Sequence, residues 1–138
     1  MRTKRDNSFD RIIDANFNRT KEGLRVCEDI CRFVFDDQGA TRRYKHVRHQ
    51  LTAAMAGLNI HALIGSRNIT ADVGRRSTRT EFKRSGSMDI YYANSQRVKE
   101  SLRVLEEFTK LRDKRISEKL KRLRYRAYEL EKNIIERC

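Results

Sequence analysis

The chain has 138 residues, no proline, six glycines and a formal net charge of +13, with 37% of its residues charged. That length suits one domain with one modest core, and the missing proline permits long uninterrupted helices. No apolar run approaches the roughly 20 residues that span a membrane, and the basic residues are interleaved with acids rather than blocked into a disordered nucleic-acid tail.

Asp6-Asn7-Ser8 offers N-caps for a first helix. From Phe9, apolar residues recur at helical spacing through Ile12, Ile13, Ala15, Val26, Ile30, Phe33 and Val34. Gly39, at the end of Asp36-Asp37-Gln38-Gly39, reads as the C-terminal breaker. A second helix is expected from Thr41 to Ile64 on the stripe Tyr44, Val47, Leu51, Met55, Leu58 and Ala62. Between Gly65 and Ser87 the periodicity collapses, and six basic residues stand against two acids. This segment reads as a long loop with one turn in which Thr78 and Glu81 form a capping box. Loops of that length inside a compact domain usually carry function, here a lid that orders over bound phosphates. Ser87 is placed to cap a third helix, Met88 to Arg112. Ser117 is placed to cap a fourth, from Glu118 to near the C-terminus.

The cysteines are Cys27, Cys31 and Cys138. An odd count with no secretory leader predicts a reducing, cytoplasmic setting. Cys27 and Cys31 sit four apart on one helix with no second ligand pair at zinc-like spacing, so they read as core.

The chain repeats itself. Ala15-Asn16-Phe17-Asn18-Arg19-Thr20-Lys21-Glu22-Gly23-Leu24-Arg25-Val26-Cys27-Glu28-Asp29 matches residues 93–107, Ala93 to Glu107, at nine of fifteen positions. Lys45-His46-Val47-Arg48 then matches Lys121-Arg122-Leu123-Arg124. The expected fold is therefore all-α: a four-helix bundle built from two repeated helical hairpins, with a long basic central loop. Repeat one covers 8–64, the loop 65–87 and repeat two 88–137, all in a single helical domain over 1–138.

On a helical wheel Asn16 falls in the middle of the apolar side, an expensive place for an amide without partners. Arg19, Glu22 and Asp29 lie along one edge, and Asn94, Arg97, Glu100 and Glu107 repeat that arrangement. Arg48 and Arg124 flank the apolar stripes of their own helices. Two readings stay open. In one, Arg48 and Arg124 pair with the carboxylates of the neighbouring helices as a structural network. In the other, a polar cleft binds phosphate through arginine and Mg²⁺ through carboxylates.

These residues resemble a known family. The pattern Ala-Asn-x-x-Arg-x-x-Glu-Gly-Leu-Arg-Val-x-Glu-Asp at 15–29 is similar to the helical hydroxymethylpyrimidine-phosphate kinase family. So are Arg48-His49-x-Leu51, Asp72-Val73-Gly74 and the segment Ala93 to Phe108. The resemblance covers roughly residues 8–135 and implies transfer of a phosphoryl group from ATP to 4-amino-5-hydroxymethyl-2-methylpyrimidine phosphate. That domain often precedes a thiamine-phosphate synthase barrel, for which this length leaves no room. Arg67-Asn68 departs from the family, which often has an acid after the loop arginine.

Phosphoryl transfer needs positioning and charge neutralisation more than covalent chemistry. The expected catalytic set is Glu22, Asp29, Glu100 and Glu107, with Glu22 and Asp29 as the Mg²⁺ pair. Substrate and phosphate contacts are expected from Asn16, Arg19, Arg48, Arg67, Asp72, Asn94, Arg97 and Arg124. His49 is either an acid/base or a structural histidine. The expected ligands are a phosphorylated pyrimidine, ATP and Mg²⁺, with no specific nucleic acid, no membrane and a homo-oligomer left open. A basic nucleic-acid-binding module and a non-catalytic companion of a thiamine-phosphate synthase are the rival functions.

Overall fold

The computed structural model describes residues 3–77 and 83–137, and these fold as helices joined by turns and loops without any strand. Five helices follow in order: α1 (Lys4–Phe33), α2 (Gln38–Met55), α3 (Ile60–Gly65), α4 (Ser87–Thr109) and α5 (Lys114–Arg137). α1 packs on α4 and α2, and α5 packs on α4 and α2, so the four long helices form a closed ring. Thr20 meets Ser101 while Cys27 meets Tyr91, which makes α1 and α4 antiparallel. α2 and α4 are then diagonal and run the same way. The segment between them must return along the bundle, so topology explains the length of the central loop as much as function does.

The interior is the apolar stripe of each helix. Ile13, Leu24, Leu51, Met55, Leu102, Leu105, Leu120 and Ile134 are fully buried. Tyr44 and Tyr91 meet edge-on at its centre with hydroxyls 2.5 Å apart. Cys27 and Cys31 are buried core residues, as their spacing predicts. Burial pushes the Cys27 thiol up to about 12 and the Cys31 thiol up to about 11.

Several boundaries differ from those read in the sequence. α1 starts earlier, because Thr3 and Asp6 close a capping box and Asp6 is its acidic third position rather than a cap. Gly39 does not end α1. Asp36 takes the left-handed turn (φ 50°), and Asp37 caps α2 by accepting from the Ala40 N–H at 3.0 Å, which puts Gly39 inside α2. The second helix stops at Met55 and resumes as α3, with Asn59 accepting from the Ala62 N–H. A Cβ at Gly57 in this break would stand 3.0 Å from Ile116. α4 is capped by Gly86 without a side chain, while the Ser85 N–H and hydroxyl bond to Asp89. Ser117 lies inside α5, where its hydroxyl donates to the Glu106 carbonyl at 2.8 Å. The expected Thr78–Glu81 capping box lies outside the described residues.

Candidate functional site

Along α1 from Ser8 to Glu22 one side of the helix carries polar residues. There the chain after α3 folds back and lies against α1, leaving a groove of about 640 Å³. That volume is in the range of small-molecule sites. Asn16, Arg19 and Glu22 line it from α1, and Arg67 and Asp72 line it from the returning chain. Five of the side chains singled out in the sequence thus share one groove.

Its geometry is held by hydrogen bonds to the helix and across to the loop. The buried Asn16 amide donates to the Ile12 carbonyl at 2.8 Å, and its oxygen accepts from Arg19 Nη1 at 3.3 Å. Arg67 reaches across in a two-pronged ion pair, Nε and Nη2 donating to Asp14 at 2.5 and 2.9 Å. Asn18 adds a third donor to the same carboxylate at 3.4 Å. The hydrogen bonds to Asp14 raise the pKa of Arg67, so this guanidinium stays charged throughout. Asn68 and Asp72 fold the loop locally by accepting from the Ala71 and Gly74 N–H groups.

The remaining sequence candidates go elsewhere. Arg48 donates to Glu28 at 3.0 and 3.4 Å, and Arg124 forms the same two-pronged pair with Glu106. Both carboxylates are buried, so the structural reading describes these two arginines, with the acid one residue before the one expected. Glu107 is exposed and pairs with Lys110 at 3.0 Å and Arg103 at 3.1 Å, and Lys110 holds its carboxyl below the usual range. Asn94 donates to the Ile90 carbonyl at 2.8 Å, repeating the Asn16 bond, while Arg97 and Glu100 are exposed on α4. Asp29 is exposed on α1 and His49 on α2. Asp29 stands seven residues beyond Glu22, about 10 Å along the helix axis, so the two do not converge on one ion. Among the described residues no group of three or more His, Cys, Asp or Glu side chains is placed to hold a metal. The carboxylates that share the groove are Asp14, Glu22 and Asp72, and Asp14 is taken by Arg67.

Gly23 is where α4 crosses α1: an added Cβ would lie 2.8 Å from Val98 and 3.1 Å from the Asn94 carbonyl. Sequence reasoning missed Asp14, Glu28 and Glu106. A signal existed for the last two, because Glu28 and Glu106 are identical between the repeats whereas Asp29 and Glu107 are not. Asp14 had no such mark.

The chain matches the ThiD2 family over residues 11–133. It is 40% identical to a thiamine-phosphate synthase of Rhodopirellula baltica over 119 residues, 86% of this chain and 32% of that protein. A thiamine-phosphate synthase of Synechocystis is 40% identical over 126 residues, 91% of this chain and 36% of the relative. That of Nostoc punctiforme is 36% identical over 126 residues, 91% of this chain and 35% of the relative. The chain thus spans about a third of the length of these curated relatives. No solved structure matches it.

Proposed function

Because the chain belongs to the ThiD2 family, we propose that it works in thiamine biosynthesis as an ATP-dependent kinase of 4-amino-5-hydroxymethyl-2-methylpyrimidine phosphate. The observation that carries this reading is the convergence of Asn16, Arg19, Glu22, Arg67 and Asp72 in one groove. Joining two phosphorylated substrates requires cations against their mutual repulsion, and Arg11 and Arg19 supply them, while Arg67, held by Asp14, fixes the returning chain. Asn16, fixed by Ile12 and Arg19, orients the Arg19 guanidinium toward its task. Glu22 is the carboxylate on rigid helix nearest that arginine in sequence. The hydroxymethyl oxygen of the substrate already carries its phosphate, so the attacking atom is an oxygen of that phosphate, ADP is the leaving group, and Glu22 would hold the ion that neutralises their charge. Asp72 sits on the returning chain, where closure over substrate would exclude water. Mg²⁺ bound to a nucleotide keeps most of its waters and needs only one or two protein carboxylates, so Glu22 and Asp72 fit that donor set. When bound, the ion neutralises phosphate charge.

The relatives' name and the chain's one-third share of their length favour a second reading, a non-catalytic companion domain of a synthase. One assay separates the two. Purified chain with ATP, Mg²⁺ and the pyrimidine monophosphate should release ADP and a pyrimidine diphosphate visible by phosphorus NMR. Saturable binding of the pyrimidine without any ADP release would leave the companion reading standing.

A further inference from the structure

Toward the α1–α2 turn the seam between α2 and α5 opens a cavity lined by Asp37, Arg43, Glu136 and Arg137; further along it, and sharing no residue with the α1 groove, lie two more, of about 500 and 310 Å³. These two are the same site twice. Arg43, His46 and Val47 of the larger correspond, 76 residues on, to Lys119, Arg122 and Leu123 of the smaller. Gln50, Ala53 and Ala54 of the smaller correspond in the same way to Arg126, Glu129 and Leu130 of the larger. Arg126 lines both and donates to Gln50, its own counterpart across the pseudo-two-fold axis. Each cavity has an apolar floor, Val47 with Leu130 and Leu123 with Ala54, beneath a basic rim.

The rim cations are also unspent. Among the described residues no carboxylate lies within ion-pair distance of Arg42, Arg43, His46, Lys119, Arg122 or Arg126. In the α1 groove, by contrast, Arg67 is tied to Asp14. Clustered, unpaired like charges cost stability, and a bound anion is the physical reason for keeping them. In the larger cavity Arg42, Arg43 and Arg126 face the Glu129 carboxylate, a net of two positive charges, and Lys119 and Arg122 of the smaller bring the pair of cavities to four. A single phosphate ester, at about −2, matches the larger cavity alone, whereas an oligophosphate reaching past Arg126 meets the cations of both.

We propose that the α2–α5 seam is a second anion site, which takes an oligophosphate of two or more phosphoryl groups joined to an apolar body, with the larger cavity as its principal seat. The arginine forks hold the phosphate oxygens and the Val47–Leu130 floor takes the apolar body. No Phe, Tyr or Trp lines either cavity, so the seam lacks the stacking platform of a single-strand nucleic-acid track. The site stands whether or not the α1 groove transfers phosphoryl groups.

The test titrates the full chain, without Mg²⁺ and at physiological salt, with ATP, inorganic tripolyphosphate, inorganic phosphate and a 20-base-pair DNA duplex. Calorimetry reads affinity and the His46 ring signals in NMR read location. Both triphosphates should shift His46 and bind at least tenfold more tightly than phosphate, with ATP the tighter. The double variant Arg43→Ala/Arg126→Ala should lose at least tenfold in affinity, whereas Arg19→Ala should leave the His46 response intact. Its melting temperature should hold or rise, since repulsion is relieved. Arg43→Lys/Arg126→Lys keeps the charge without the forks and should fall between. A silent His46, or equal affinity in the wild type and the alanine variant, would overturn the site. Equal affinity for ATP and tripolyphosphate would remove its apolar half, and tighter binding of DNA than of ATP would make the seam a polyanion track instead.

Discussion

The two hairpins agree on the inside and part on the outside. Inside, Glu28–Arg48 and Glu106–Arg124 are the same buried pair, and Asn16 and Asn94 make the same bond to the carbonyl four residues back. Outside, both copies expose these residues, Arg19 and Glu22 in the first and Arg97 and Glu100 in the second, but the returning chain makes a groove with the first pair. Duplication kept the groups that hold one helix to the next. The place of the groove was decided by the side on which the chain crosses from one hairpin to the other.

The largest expected effect tests the shared interior. Removing one partner of a buried ion pair leaves the other unpaired and costs about 3–5 kcal/mol. Glu106→Gln should sit at the upper end, because the Arg124 side chain is only 10% exposed. Glu28→Gln should cost less, with Arg48 at 23%. Denaturant unfolding of the two variants measures the difference, and equal losses would show that burial does not separate the pairs.

The divergent exterior comes next. Glu22→Gln should lower kinase turnover about a hundredfold, the scale of a lost charge-stabilising group, with an unchanged melting temperature. Glu100→Gln should keep near wild-type turnover. Equal loss in both would place chemistry in both copies and erase the contrast.

The crossing of the copies is sharpened by Gly23→Val. Its side chain would press into Val98 and the Asn94 carbonyl, so overpacking should cost about 1–3 kcal/mol by thermal melting. The same helix position in the second copy, Ser101, already carries a side chain that bonds Thr20 at 2.7 Å.

Alkaline pH probes a further asymmetry, since Cys27 and Cys31 stand where the second copy has Leu105 and Thr109. Burial raises these thiols from 9.0 to about 12 and about 11. The unfolded chain therefore ionises first, so their contribution is complete below pH 9 and is lost as pH rises through 11 and 12. Stability measured from pH 8 to 11 should fall, and Cys27→Leu should flatten that fall. A fall as steep in the variant would assign it to other groups. The smallest effect belongs to Asp14→Asn. The Arg67 side chain is 40% exposed, so less than about 1 kcal/mol of stability is at stake. Yet the returning chain should be nicked faster by protease, and unchanged cleavage would deny the ion pair its anchoring role.

Much of this architecture is legible in the sequence. The all-helical fold, the duplicated hairpins and the buried stripes follow from 3.6-residue periodicity and from the absence of proline, both local properties of the chain. Identity between the repeats, which held for Glu22 and Glu100 as well, set Glu28 and Glu106 apart from Asp29 and Glu107. A helical wheel did not separate them from Asp29 and Glu107, since neighbours on a helix edge differ only in which one the facing helix meets. That choice depends on how the helices cross, and at Gly23 the crossing is set by α4. The ends of α1 and α2 were misplaced for a related reason: Asp36 accepts a left-handed turn that glycine was expected to make. Asp14 and Arg67, 53 residues apart, carry no spacing signal at all. Only the tertiary structure brings them together, because the diagonal placement of α2 and α4 forces the chain back along the bundle and lays Arg67 against α1.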